Sequence, residues 1–213
     1  MSNYSTSSFK FQKTGRYSTY GDPEKASHLV IALHGYGQLV PYFIRKFSQL
    51  DPDKFYVVCP EGPHRFYRNG TSGRVGASWM TKEERDTDIE DYIFYLDHLM
   101  DHILVDKKFQ EKTLLGFSQG GATASRWIAF GKYKFDRFLL WAAVFPPDMD
   151  AKFIPRFESS KNFWVISDED EFISIEKAKV YFEGLKRQLK QIEFVKFEGK
   201  HDIESKTLHT LLK

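Results

Sequence analysis

A chain of 213 residues can bury one sizeable core, whereas two domains of half that length would each be marginal, so a single domain is expected. Its 31 basic and 29 acidic residues are mixed along the chain to a net charge of +2, which excludes the one-signed surface of a nucleic-acid binder. The longest apolar runs are strand-sized and too short to span a bilayer, and Cys59, the single cysteine, excludes an internal disulfide and suits a reducing, cytoplasmic setting.

In chain order, Met1 to Ser8 is polar, lacks the positive flank and apolar core of a signal peptide, and reads as a solvated tail before a domain spanning 9–213. Phe9 to Gln12 and Arg16 to Tyr20 alternate on either side of Thr14-Gly15 and predict an N-terminal edge hairpin. His28 to Leu33 is a continuous apolar run, the pattern of a strand covered on both faces, and it breaks at His34-Gly35-Tyr36-Gly37. A helix is expected over Pro41 to Leu50 and a strand over Phe55 to Cys59, with Cys59 as buried filler. Pro60 to Thr81, rich in glycine and carrying Arg65, Arg68 and Arg74, reads as a long irregular loop of the kind that carries function. Thr81 to Glu84 suggests a capping box for a helix with apolar residues at Ile89, Ile93, Leu96, Met100 and Ile103.

The stretch from Lys112 to Gly131 reads strand, sharp turn, helix. Gly116-Phe117-Ser118-Gln119-Gly120 then fits a nucleophile elbow, in which glycines relieve the crowding of a strand that turns directly into a helix. Beyond it lie strands over Phe138 to Phe145, Phe163 to Ile166 and Ile192 to Phe197, with helices over Ser174 to Lys190 and Ile203 to Leu212. Strands alternating with helices predict an α/β fold, a mostly parallel sheet with helices on both faces and its ligand site at the carboxyl edge. Three strand ends on that edge carry reactive groups: Ser118, the cluster Asp168-Glu169-Asp170-Glu171, and Gly199-Lys200-His201. Serine, acid, histidine is the chain order of an α/β-hydrolase triad.

The motifs Leu33-His34-Gly35-Tyr36-Gly37, Ala77-Ser78-Trp79, Gly116-Phe117-Ser118-Gln119-Gly120-Gly121-Ala122, Asp170 ahead of Phe172-Ile173, and Glu198-Gly199-Lys200-His201 together resemble the carboxylesterase and phospholipase family of α/β-hydrolases, which includes acyl-protein thioesterases. The resemblance runs from about Leu29 to the C-terminus, with two departures: Gln38 replaces an Asp common in the family, and Ser167-Asp168-Glu169-Asp170-Glu171 replaces a Gly-Asp-x-Asp-Pro loop. It implies Ser118 as nucleophile, His201 as base and Asp170 as its orienting acid, with Asp168 the alternative acid. It also implies an oxyanion hole from the backbone N–H groups of Tyr36 and Gln119.

His34 has no task in such a mechanism and reads as a structural hydrogen-bonder, and His28, His64 and His209 as surface or packing residues. His98 and His102, with Asp97 and Asp101, imitate a metal site but read as a solvent-facing helix surface. The chemistry needs neither cofactor nor metal. Trp79, Phe145 and Phe172 fall near strand ends as candidate substrate walls, and the edge strand could support a homodimer. The expected activity is hydrolysis of small soluble carboxylic esters or thioesters through an acyl-enzyme. An amide hydrolase with the same triad, or a non-catalytic protein binding a ligand in the same cleft, are the alternatives.

Overall fold

The computed structural model describes residues 4–213, so the first three residues of the expected tail lie outside the described residues. In chain order the elements are β1 (Tyr17–Tyr20), β2 (His28–Leu33), α1 (Val40–Phe43), β3 (Phe55–Pro60), β4 (His64–Asn69), β5 (Ser72–Ser78), α2 (Arg85–Ile103), β6 (Glu111–Phe117), α3 (Gln119–Phe130), β7 (Arg137–Trp141), β8 (Lys161–Ser167), α4 (Ile175–Gln188), β9 (Ile192–Phe197) and α5 (Ser205–Leu211). Seven of the strands form one sheet in the order β1-β3-β2-β6-β7-β8-β9, parallel except for β1.

Both faces of the sheet's centre are covered, which is why β2, β3 and β7 are buried along their whole length, whereas the edge strands β1 and β9 carry exposed polar residues. Successive side chains go to opposite sides. Leu29, Ile31, Leu33, Leu114, Leu140 and Ile166 join a core shared with α2, α3 and α4. Val30, Ala32, Leu115, Leu139, Trp141 and Val165 join a second core shared with α1 and α5. From β2 the chain runs outward to β3, then returns to β6 on the other side of β2. That reversal puts the loop after β2 beside the turn after β6, with Leu33 in register with Gly116.

Local expectations changed where tertiary contacts outweighed pattern. The N-terminal hairpin is a single strand: β1 pairs with β3, while Phe9 to Gln12 form no strand and stay exposed. Conversely, the expected irregular loop contains the two-stranded hairpin β4–β5, closed around Gly70 at φ 60°. The Asn69-Gly70 turn signal, flanked by Tyr67 and Val75, was present for it. The helix expected over Pro41 to Leu50 is one α-turn followed by a 3-10 turn over Ile44–Phe47. The Thr81 capping box does not form: α2 starts after Glu84, at φ 48°, and the Thr81 hydroxyl accepts from the Glu83 N–H instead.

Candidate active site

Ser118 sits between β6 and α3 at φ 53° and ψ −120°, a backbone conformation that L-residues avoid and that stores about 1–3 kcal/mol. Two close approaches impose it. A methyl group at Gly120 would lie 2.3 Å from the Leu33 carbonyl oxygen, and one at Gly116 would lie 2.5 Å from the Gly120 oxygen. The Ser118 N–H donates to the Trp141 carbonyl at 2.9 Å, tying the turn to β7. A serine before a helix ordinarily caps it through its side chain. Ser118 makes no such bond, so its hydroxyl is free for other use.

Across the carboxyl edge, the loops after β8 and β9 bring an acid and a histidine together. His201 Nδ1 donates to Asp170 Oδ2 at 2.8 Å, with the Asp170 side chain 1% exposed and that of His201 15% exposed. Asp170 is itself oriented, because Oδ1 accepts from the Phe172 N–H at 2.9 Å and the Ile173 N–H at 3.3 Å. Asp168 faces elsewhere: it accepts from the Gly199 N–H at 3.1 Å and lies 3.5 Å from Lys196. Those contacts, the Gly199 bond first, hold its carboxyl below the usual range. The His201 ring lies 5.0 Å from that of Phe117, the residue before Ser118. Among the described residues no hydrogen bond joins Ser118 to His201, an open geometry common before substrate tightens a site.

The loop after β2 is built by a chain of buried polar contacts. His34 Nδ1 bonds the Gly35 carbonyl at 2.7 Å, so Nδ1 carries the proton and Nε2 accepts from the Gly62 N–H at 2.9 Å. Desolvation lowers its pKa, leaving a neutral ring with both nitrogens occupied. Gln38 Oε1 accepts from the Gly35 N–H at 2.9 Å, the Gln38 carbonyl accepts from the Ala77 N–H of β5 at 3.2 Å, and the Gly37 N–H donates to the Ala77 carbonyl at 2.8 Å. Gly35 in turn packs against Ser118, where a methyl would lie 3.1 Å from Ser118 Cβ. Among the described residues the N–H groups of Tyr36 and Gln119 have no protein acceptor. The Gln119 side chain locks the elbow to the end of the hairpin, accepting from the Trp79 N–H at 3.1 Å and donating to the Met80 carbonyl at 3.0 Å.

Sequence reasoning missed Glu61. Its buried carboxylate accepts from Arg16 through Nε at 2.9 Å and Nη2 at 2.6 Å, from Arg65 Nε at 2.7 Å and from the Val40 N–H at 3.3 Å. Burial alone would raise its pKa, but the two guanidinium groups outweigh it and hold the carboxyl below its ordinary value. The only clue was position: a carboxylate immediately after a buried strand must find cations, and these come from residues 16 and 65.

The aromatic walls need correction. Trp79 is fully buried, donating Nε1–H to the His34 carbonyl at 2.9 Å, and Phe145 is buried against Phe157. Both are packing residues, drawn inward because a ring near a strand end can still point into a core. Phe172, 78% exposed, packs edge-on to His201 at 4.6 Å. Of the histidines without an expected partner, His28 is buried with Nε2 2.8 Å from the Thr113 hydroxyl, and His64 pairs with Asp88 at 3.0 Å. Asp97 accepts from Trp127 and Asp101 from Lys132 and Tyr133, which occupies the carboxylates beside His98 and His102.

Residues 19–213 match the sequence profile of a family described as phospholipase/carboxylesterase. The chain belongs to that family. It is accordingly a hydrolase acting on esters, with the α/β-hydrolase fold. Among solved structures it is similar to acyl-protein thioesterase 2 of Zea mays, with a TM-score of 0.68, 15% identity and coverage of 94% of this chain and 100% of that one. A phospholipase/carboxylesterase from Dyadobacter fermentans has a TM-score of 0.64 and 15% identity over 94% of this chain and 96% of that one. A carboxylesterase from Bacillus cereus has a TM-score of 0.62 and 13% identity over 92% and 91%. At such identities these structures speak for the fold of this family member. No curated protein sequence matches the chain. Among the described residues no helix is long and apolar enough to cross a membrane.

Proposed function

We propose that this family member hydrolyses small soluble carboxylic esters or thioesters through an acyl-enzyme on Ser118. The single observation that carries the reading is the buried His201–Asp170 hydrogen bond at the same sheet edge as a strained serine whose hydroxyl caps nothing. Ser118 Oγ attacks the carbonyl carbon while its proton passes to His201 Nε2, and Asp170 holds Nδ1–H and stabilises the imidazolium. The oxyanion is met by the N–H groups of Tyr36 and Gln119, which lack protein acceptors and need no reorganisation. Collapse expels the alcohol or thiol with the proton from His201. Water then attacks the acyl-serine, gives a proton to His201, and the acid leaves as that proton returns to Ser118. Phe172, exposed beside His201, supplies an apolar contact to the substrate.

The test is labelling by a fluorophosphonate, read by intact mass and peptide mapping on wild type, Ser118→Ala and His201→Ala. Stoichiometric modification of Ser118 that fails in both variants is the expected result, and an unmodified but folded wild type sinks the reading. Two lesser parts belong to it. The buried Cys59, the single thiol, suits the cytoplasm. The outer edge of β1 offers a pairing surface for a homodimer, which light scattering would reveal as twice the chain mass.

A further inference from the structure

Between Gly62 and Ala77 the chain carries three arginines and no acidic residue. Arg65 is neutralised by Glu61 at the base of the β4–β5 hairpin. Among the described residues Arg68 and Arg74 have no carboxylate partner, a state they share with Arg45, Arg156 and Arg187, but of these five only they lie on the hairpin beside the loop after β2. The hairpin register puts Arg74 on the face that covers the loop after β2, and Arg68, at the register shift between Tyr67 and Asn69, approaches the same loop. Gly76 packs so tightly there that a methyl on it would lie 2.7 Å from Gly37 Cα. Phe66, directly across from Gly76, stacks on Tyr36 at 5.1 Å between centroids. Arg74 shares that face because it is two residues from Gly76. A methyl on Gly37 would lie 3.8 Å from Arg68 Nε. The loop after β8, at the same carboxyl edge, has the opposite sign, with Glu169 and Glu171 exposed.

A neutral ester gains nothing from this polarity, whereas an anionic group is drawn to the hairpin and repelled from the loop after β8. Guanidinium groups also match carboxylate and phosphate oxygens with paired donors. We propose that Arg68 and Arg74 form an anion-recognising rim that selects esters bearing a second, negatively charged group, a carboxylate or a phosphate, away from the scissile bond. The proposal rests on the hydrolase reading above, with the oxyanion held beside Tyr36.

The experiment measures kcat/KM by pH-stat for matched esters ending in a methyl, a carboxylate or a phosphate, on wild type and on the Arg68→Gln/Arg74→Gln double variant. Wild type should prefer at least one anionic ester over the neutral one, and the anionic-to-neutral ratio should fall about tenfold in the double variant. The same ratio should shrink when the ionic strength is raised from about 0.05 M to about 0.5 M. The carboxylate and phosphate arms tell which anion is read. An anionic-to-neutral ratio that is the same in wild type and double variant overturns the proposal and leaves the hydrolase reading standing. No turnover of any ester, together with no fluorophosphonate label, overturns both.

Discussion

The loop after β2 and the loop after β8 both lie at the carboxyl edge, yet they are held by opposite means. The first is buried and cross-braced: His34 is satisfied at both nitrogens, Gln38 binds Gly35, and Glu61 gathers Arg16, Arg65 and the start of α1 behind it. The second is an exposed turn held mainly by its own carboxylates, with Phe172 projecting into solvent. The proposed mechanism gives the two loops different tasks. On the proposed mechanism the donors beside the braced loop meet the oxyanion, and bracing preorganises them for it. The loop after β8 contributes Asp170, which orients His201 of the neighbouring loop after β9 through the 2.8 Å hydrogen bond.

The largest effects should come from the side that moves protons. Asp170→Asn should lower kcat by about 10⁴-fold, because an amide no longer enforces the Nδ1–H tautomer, while Asp168→Asn should stay within a few-fold of wild type. Steady-state kinetics on one ester decides it, and the reverse ranking would reassign the acid. On the braced side, Glu61→Gln should lower kcat by roughly ten- to a hundredfold with little change in KM, since it loosens donors that act in the transition state. A loss confined to thermal stability, with kcat intact, would make Glu61 a purely structural hub. Phe172→Ala should act in the opposite sense, raising KM by about threefold and sparing kcat, as befits an exposed apolar contact.

The smallest effect concerns His28, at the start of the β2 strand that carries the braced loop. Burial pushes its pKa from 6.5 down to about 4, with Glu111 partly opposing. The folded value lies below the unfolded one, so the neutral ring's contribution is fully present above about pH 6.5 and is lost as pH falls toward about 4. Thermal melts of wild type should therefore decline across that window, and His28→Gln should flatten the decline. Parallel curves for the two proteins would remove His28 as the cause.

Much was legible in the residues themselves. The continuous apolar runs at 28–33 and 138–145 required a sheet covered on both faces, although the strand expected to reach Phe145 ends at Trp141, where Ala142 turns at φ 46°. The glycines at 116 and 120 announced the elbow, because strand and helix cannot meet so closely around a Cβ. The serine, acid and histidine could be ordered along the chain because a parallel sheet brings the ends of its strands to one edge. What remained depended on partners distant in sequence. Asp168 and Asp170 are both acids in one exposed loop, and only the fold shows which turns toward His201, 31 residues away, and which toward Gly199. Trp79 and Phe145 looked like walls until packing turned them inward, since an aromatic ring reads alike in a core and at a cleft. Glu61 became a hub only when β3, the hairpin and the N-terminal segment met around it. Local periodicity is written along the chain, whereas the direction of a side chain within a loop is set by neighbours that only the folded sheet assembles.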